Sequence, residues 1–224
     1  MTILVKFPTR ERSGKFNLLI RQYISMQSTQ DVIYFITLDS NCPDLDRYIE
    51  ICQELGLTYS IGESKGKIHA CNRDINDAQL PKWDILVLAS DDMHPQTHSW
   101  DQVLIDEMKE HFPDTDGVLY HSDGYTKLNT MCIMGRKYFD RFGYIYHPDY
   151  KSLWCDNEFM EVSRKLGKEK YFDLVLFKHE HFSNTQSVKP DALMKRNESL
   201  YYTDEATYKR RKTINFELNE VLAK

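Results

Sequence analysis

Four apolar runs alternate with amphipathic stretches along the amino-terminal half of the chain, and that rhythm limits the fold more than any other feature. ILVKF (3–7) reads as a buried strand stopped by Pro8, and DVIYFITLDS (31–40) as a second strand. LTYSIG (57–62) reads as a third strand and residues 84–89 as a fourth. Between them, GKFNLLIRQYISMQ (14–27) places Phe16, Leu19, Ile20, Tyr23 and Ile24 on one helical stripe. PDLDRYIEICQELG (43–56) reads as a helix with Pro near its start and Gly at its end, and residues 66–78 as another helix. This strand–helix alternation predicts an α/β fold: a mostly parallel sheet with helices on both faces.

The rhythm loosens after residue 113. GVLYHS (117–122) and TMCIMG (130–135) look like strands with a turn-prone SDGYTKLN between them. DNEFMEVSRKLG (156–167) looks like a helix ending on Gly167, and DLVLFK (173–178) like a strand. The polar, Tyr-rich C-terminal stretch ends in a helix expected from Asp204 to about Leu222. No repeat or linker divides the 224 residues, which suits one domain in two halves with a C-terminal extension.

The stretch that asks for an explanation is WDILVLASDDMHP (83–95), where an apolar run ends in Ser90, Asp91 and Asp92. In open α/β sheets, ligands bind beyond the carboxyl ends of the strands. Adjacent carboxylates there are costly unless something positive sits beside them, and a hard divalent cation shared with substrate phosphates is the natural occupant. An Asp after a strand is also ordinary turn or capping chemistry, and the pair alone does not choose between the two. The net charge of −5 gives no basic footprint, so nucleic acid is not an expected partner. Five cysteines without a C-x-x-C pair fit a reducing compartment better than a disulfide framework or a zinc site. The N-terminus does not read as a signal peptide, and no run reaches the ~18 apolar residues of a membrane span. The expectation is a cytoplasmic protein without a transmembrane segment, its loose association with a membrane face left open.

Over about the first 185 residues, an ordered series of motifs resembles the GT-A nucleotide-sugar glycosyltransferases, especially the inverting family 2 group. In that family an apolar strand ends in an Asp-any-Asp type motif that binds metal and nucleotide diphosphate. Here it reads Ser90-Asp91-Asp92, with Ser90 in place of the first Asp. The resemblance implies Asp92 as metal ligand and Asp91 on the ribose or the metal. It implies Pro8, Thr9 and Arg10 on the nucleotide base, with Asp39 near it. GKIHACNRDI supplies Lys67, Ala70, Asn72 and Arg73, a basic residue followed by Ala-x-Asn-Arg, for the base or diphosphate. The cofactor it implies is Mn2+ or Mg2+, completed by one of His179 and His181 in LFKHEHFSN (176–184).

Transfer with inversion needs a base to take the acceptor hydroxyl proton. The family places it in a Glu-Asp-like motif at a helix start. By that alignment Asp156 is the base, Cys155 stands where Glu is usual, and Glu158 is the reserve. The resemblance therefore implies a GT-A (Rossmann-like) domain with a nucleotide-sugar-binding half (1–112), an acceptor and catalytic half (113–185) and a C-terminal helical extension (186–224). The aromatic-rich stretch 122–154, with Asp149, would face a carbohydrate acceptor. The expected activity is transfer of a sugar from a nucleoside-diphosphate donor, UDP-sugar favoured, to a glycan or other hydroxyl.

Three rivals stand beside it. A sugar-phosphate nucleotidyltransferase should carry a Gly-rich basic loop after strand one, where FPTRERSGK has a single Gly. A non-catalytic nucleotide-sugar-binding protein would keep the pocket without turnover. A metallohydrolase on Asp91, Asp92, His179 and His181 would usually need more His/Asp clusters.

Overall fold

A computed structural model describes residues 1–77, 80–181 and 191–221. The chain runs β1 (Ile3–Thr9), α1 (Ser13–Met26), β2 (Val32–Asp39), α2 (Leu45–Glu54), β3 (Thr58–Gly62), α3 (Lys67–Asn72), β4 (Ile85–Leu88) and β5 (Met93–Pro95). It continues through α4 (Trp100–His111), β6 (Val118–His121), β7 (Ile133–Gly135), α5 (Arg136–Phe142), α6 (Cys155–Lys165), β8 (Glu169–Phe172) and β9 (Phe177–His179). The last elements are α7 (Ala192–Glu198), α8 (Tyr201–Thr213) and α9 (Leu218–Val221).

Seven strands form one sheet in the order β3-β2-β1-β4-β7-β6-β8. The first four are parallel, β7 is antiparallel to both β4 and β6, and β8 is parallel to β6. β1 lies between β2 and β4, and its Ile3, Leu4, Val5 and Phe7 are fully buried. Burial on both faces explains the near-continuous apolar runs of these strands. Ile3, Val5 and Phe7 face a core built with Phe16, Ile20 and Tyr23 of α1, Tyr48 of α2 and Trp100 and Leu104 of α4. Leu4 and Leu86 face the other core, with Ile68 of α3, Tyr138 and Phe139 of α5 and Phe159 of α6. The expected α/β sheet covered by helices on both faces is therefore present.

Several element boundaries differ from the sequence reading. Pro8 does not stop β1, because β4 leaves the ladder at the Lys6–Leu88 pair while β2 continues to Thr9. The helix expected over 66–78 ends at Asn72, since Arg73 is extended (φ −62°, ψ 138°); its expected end at residue 78 lies outside the described residues. The strand expected at 173–178 is replaced by β8 before it and β9 at its end. β8 carries exposed Lys170 and Tyr171 on the sheet edge, so it shows no apolar run to detect. The C-terminal helix starts earlier and breaks, with Asn215, Phe216 and Glu217 all at left-handed φ; Leu222 lies outside the described residues. The expected boundary between residues 185 and 186 also lies outside them. Helices α4, α5 and α7 and the β5–β9 ribbon were not anticipated. All five cysteines are buried and free, and among the described residues no helix is long and apolar enough to cross a membrane.

Candidate active site

β4 ends at Leu88 and delivers Ala89 to Asp92 to the carboxyl edge of the parallel strands, beside the ends of β1 and β2. The two adjacent carboxylates there part company, and each meets its own cation. Asp91 Oδ1 accepts from Arg12 Nη1 at 2.7 Å. Arg12 also donates from Nε and Nη2 to the two oxygens of Asp191, both at 2.8 Å, and Asp191 caps α7 through Met194 N. Burial and the charge of Asp92 raise the Asp91 carboxyl above its ordinary value, and Arg12 opposes them.

Asp92 turns the other way. One oxygen accepts from Ser90 Oγ, and Oδ2 stands 3.6 Å from Nε2 of His179. The ribbon fixes this approach: Met93 pairs with His179, and Glu180 N donates to Asp92 O at 2.8 Å. The opposite ring nitrogen, Nδ1, is 3.9 Å from Oδ2 of Asp123. Asp123 is buried and held by Tyr125 N (2.8 Å), Thr126 N (2.7 Å), Thr126 Oγ1 (2.9 Å) and Thr130 Oγ1 (3.2 Å). Burial opposes charge on His179, but hydrogen bonds with Asp123 and Asp92 outweigh it and raise its pKa to about 9. Burial likewise opposes charge on Asp92, yet His179, Ser90 and Lys67 hold that carboxyl well below the usual range. His181, its ring 5.4 Å from that of His179, has its pKa lowered by burial.

Lys67 opens α3 and is exposed at the mouth of the site, where its charge acts on both Asp92 and Asp156. Asp156 lies in the first turn of α6, which begins one residue earlier than expected behind Trp154 in left-handed backbone (φ 63°). Its Oδ1 accepts from Asn157 N at 2.9 Å. Burial raises the Asp156 carboxyl above its ordinary value, offset in part by Lys67. A half-buried carboxylate with a raised pKa beside a cation is suited to accept a proton.

At the end of β1, Pro8 pairs with Thr37, Thr9 Oγ1 lies 3.0 Å from Tyr48 OH, and Arg10 Nη1 donates to Asp39 Oδ2 at 2.9 Å. Asp39 is 5% exposed, and its Oδ1 is buried with no hydrogen-bond partner. Lys6, fully buried on β1, donates to Thr37 Oγ1 and, at 2.6 Å, to Arg73 O. Burial lowers its pKa to about 7 against the pull of Asp74.

Three of the expected site residues are held by other parts of the chain. Glu158 is 5% exposed and accepts from Arg211 Nε (2.8 Å), Arg211 Nη2 (2.9 Å) and Tyr150 OH (2.7 Å), so it is not placed as a reserve base. Asn72 gives one amide N–H to Tyr146 O at 2.7 Å and accepts from Ile145 N and Tyr146 N, which ties α3 to the second half. Arg73 donates to Leu38 O at 2.8 Å and lies against Gly62, bracing the strand end beneath Asp39. Sequence reasoning missed Arg12, Asp123 and Asp191. Asp123 sits in a stretch that reads as a plain turn, and Arg12 meets a residue at the far end of the chain.

No family model and no curated protein matches this sequence. Solved structures do share its architecture. A mannosyltransferase of Pyrobaculum calidifontis, in complex with GDP-Man and Mn2+, superposes with a TM-score of 0.62 at 13% identity over 80% of this chain. The chain has the GT-A fold. Another structure of that fold, S. aureus TarS 1-349 in complex with UDP-GlcNAc, gives a TM-score of 0.63 at 13% identity over 86% of this chain. Glucosyl-3-phosphoglycerate synthase from Mycobacterium tuberculosis, with Mn2+, UDP and phosphoglyceric acid, gives 0.57 at 12% identity over 80%. This chain spans 56%, 60% and 71% of those three chains, respectively.

Proposed function

We propose that this protein is a metal-dependent inverting glycosyltransferase that moves a sugar from a nucleoside-diphosphate donor, UDP-sugar favoured, to a hydroxyl of a carbohydrate acceptor. The observation that carries the reading is that the start of α3 is hydrogen-bonded to the loop before α6 (Ile68 N to Lys151 O, 3.4 Å), so that the charge of Lys67 acts on two carboxylates from different halves of the chain, Asp92 after β4 and Asp156 at the start of α6. In this reading Asp92 serves the leaving group and Asp156 the nucleophile.

Asp156 takes the proton of the acceptor hydroxyl. The acceptor oxygen then bonds to the anomeric carbon while the bond from that carbon to the diphosphate oxygen breaks, with inversion. Lys67 offers charge to the departing diphosphate. The unpartnered Oδ1 of Asp39 is a buried acceptor suited to an N–H or O–H of the nucleoside.

Among the described residues no three His, Cys, Asp or Glu side chains cage a metal. Mg2+ and Mn2+ do not require such a cage, since one or two protein ligands plus substrate phosphates and water suffice. Asp92 with His181 or His179 fits that need, whereas Asp91 is committed to Arg12. A divalent ion, when bound, supplies positive charge to the leaving diphosphate.

A cytidylyltransferase of Leptospira borgpetersenii shares the fold more loosely, with a TM-score of 0.53 at 13% identity, and sustains the nucleotidyltransferase as a second reading. A thermal-shift panel with UDP, GDP, CDP, dTDP and CTP, each with and without Mn2+, tests the proposal. A ligand at 100 times its Kd adds about 2.7 kcal/mol of stability. A manganese-dependent shift with one diphosphate is expected. A shift with CTP and none with diphosphates favours the second reading, and no shift at all removes both.

A further inference from the structure

Helix α8 belongs to the C-terminal extension, yet it grips the entry to the helix that carries Asp156. Asp204 on α8 is fully buried. Its carboxylate accepts from three consecutive backbone amides, Lys151 N at 2.9 Å and Ser152 N and Leu153 N at 2.8 Å each. The next residue, Trp154, turns the chain through left-handed backbone into α6, so the direction of the first turn of α6 follows from how that loop is held. About two helical turns further along the same face of α8, Arg211 donates from Nε to Glu158 Oε2 at 2.8 Å and from Nη2 to Oε1 at 2.9 Å. α8 therefore fixes the chain on each side of Asp156.

The same loop reaches the other half of the site. The Lys151 carbonyl accepts from Ile68 N at 3.4 Å, in the first turn of α3, and packs 3.5 Å from where a side chain on Gly66 would begin. Lys67 lies between these two contacts. A single buried carboxylate thus sets the loop that leads into α6, which carries the base, and that is hydrogen-bonded to the start of α3, which carries the cation.

We propose that Asp204 is a positioning residue: it acts through the 151–153 loop to hold Asp156 and Lys67 in mutual register. The role given to Asp156 rests on the glycosyltransferase reading; the register does not. Both Asp204 oxygens accept from the loop, so Asp204→Asn replaces one of them with an amide group that cannot accept. Hydrogen exchange on the whole protein is the first arm. D204N is expected to lose protection at residues 151–153, at Ile68 and in the first turn of α6, with the β1–β2 ladder unchanged. Loss confined to α8, or spread evenly over the protein, overturns the proposal.

The second arm measures turnover of the donor identified by the nucleotide panel, with water or a sugar as acceptor. In D204N, kcat is expected to fall at least tenfold, and UDP affinity in Mn2+ to fall by clearly less, since Lys67 is displaced while Asp92 is not. The acidic limb of the kcat profile is also expected to move, because the neighbourhood of Asp156 has changed. Unchanged kcat, or UDP binding that falls in step with kcat, overturns the proposal. An active Asp156→Asn would instead overturn the base assignment. If D204N does not fold, Asp204→Ser keeps a shorter acceptor and undergoes the same two arms.

Discussion

His179 Nε2 stands 3.6 Å from Asp92 Oδ2, and the far side of the same ring faces Asp123. An imidazolium between two carboxylates neutralises the charge that strand β4 drives to the sheet edge. The folded pKa of about 9 lies above the ordinary histidine value of about 6.5. A group whose pKa is raised by folding contributes its full stability below the unfolded pKa and loses it as pH rises through the folded one. The metal-free protein should therefore lose about 3 kcal/mol of stability between pH 6.5 and 9.5 from this group. Urea denaturation of wild type and His179→Gln across that window checks it: the gap between them should narrow as pH rises. A constant gap would show that His179 holds no extra proton.

Asp92→Asn keeps the shape of the strand end and removes the charge. The variant should fold and lose the manganese-dependent part of the nucleotide shift, as wild type should in EDTA. The manganese term is the readout, because breaking the contact with His179 lowers the baseline melting temperature for other reasons. An undiminished manganese effect would remove Asp92 from the metal site.

Asp156→Asn should bind UDP as wild type does and turn over about 10²–10⁴-fold more slowly, the usual worth of a general base. The raised carboxyl also predicts a slope in the wild-type profile: activity falls as pH drops and Asp156 takes up its proton. Normal turnover by the Asn variant would place the base elsewhere.

The Glu158–Arg211 pair is buried on both sides, with side-chain exposures of 7% and 1%. Removing one partner strands a buried charge, so Arg211→Met should cost about 3–5 kcal/mol in urea denaturation. Replacing both, as in E158L/R211M, should recover most of that loss. A double variant as unstable as the single one would mean that the cost comes from packing on α8.

Strands β1, β2 and β4 were legible because a strand buried on both faces needs a continuous apolar run, and each has one. The edge strand β8 offers no such run. Asn72 shows a different limit. An Asn on a short helix looks the same in sequence whether it faces a nucleotide or clamps the Ile145–Tyr146 backbone, and only the partner 74 positions away decides. Ser90, Asp91 and Asp92 were readable as a site because adjacent charge after an apolar strand is costly in itself. Asp123 and Asp204 bear equal weight but sit where an Asp costs nothing to place, in a turn and on a polar helix. Their meaning comes from long-range contacts.

Arg12 bridges Asp91 and Asp191 across 79 and 179 positions of sequence, respectively. Synthesis proceeds at about 5–20 residues per second, so Asp191 leaves the ribosome about 5–20 s after Asp91. During that interval Arg12 and Asp91 are already available to each other. The amino-terminal sheet can therefore assemble with the Asp91 carboxylate already paired before α7 and α8 exist. The extension then docks onto a guanidinium already oriented by its first partner, and the order of assembly is written into the order of the chain.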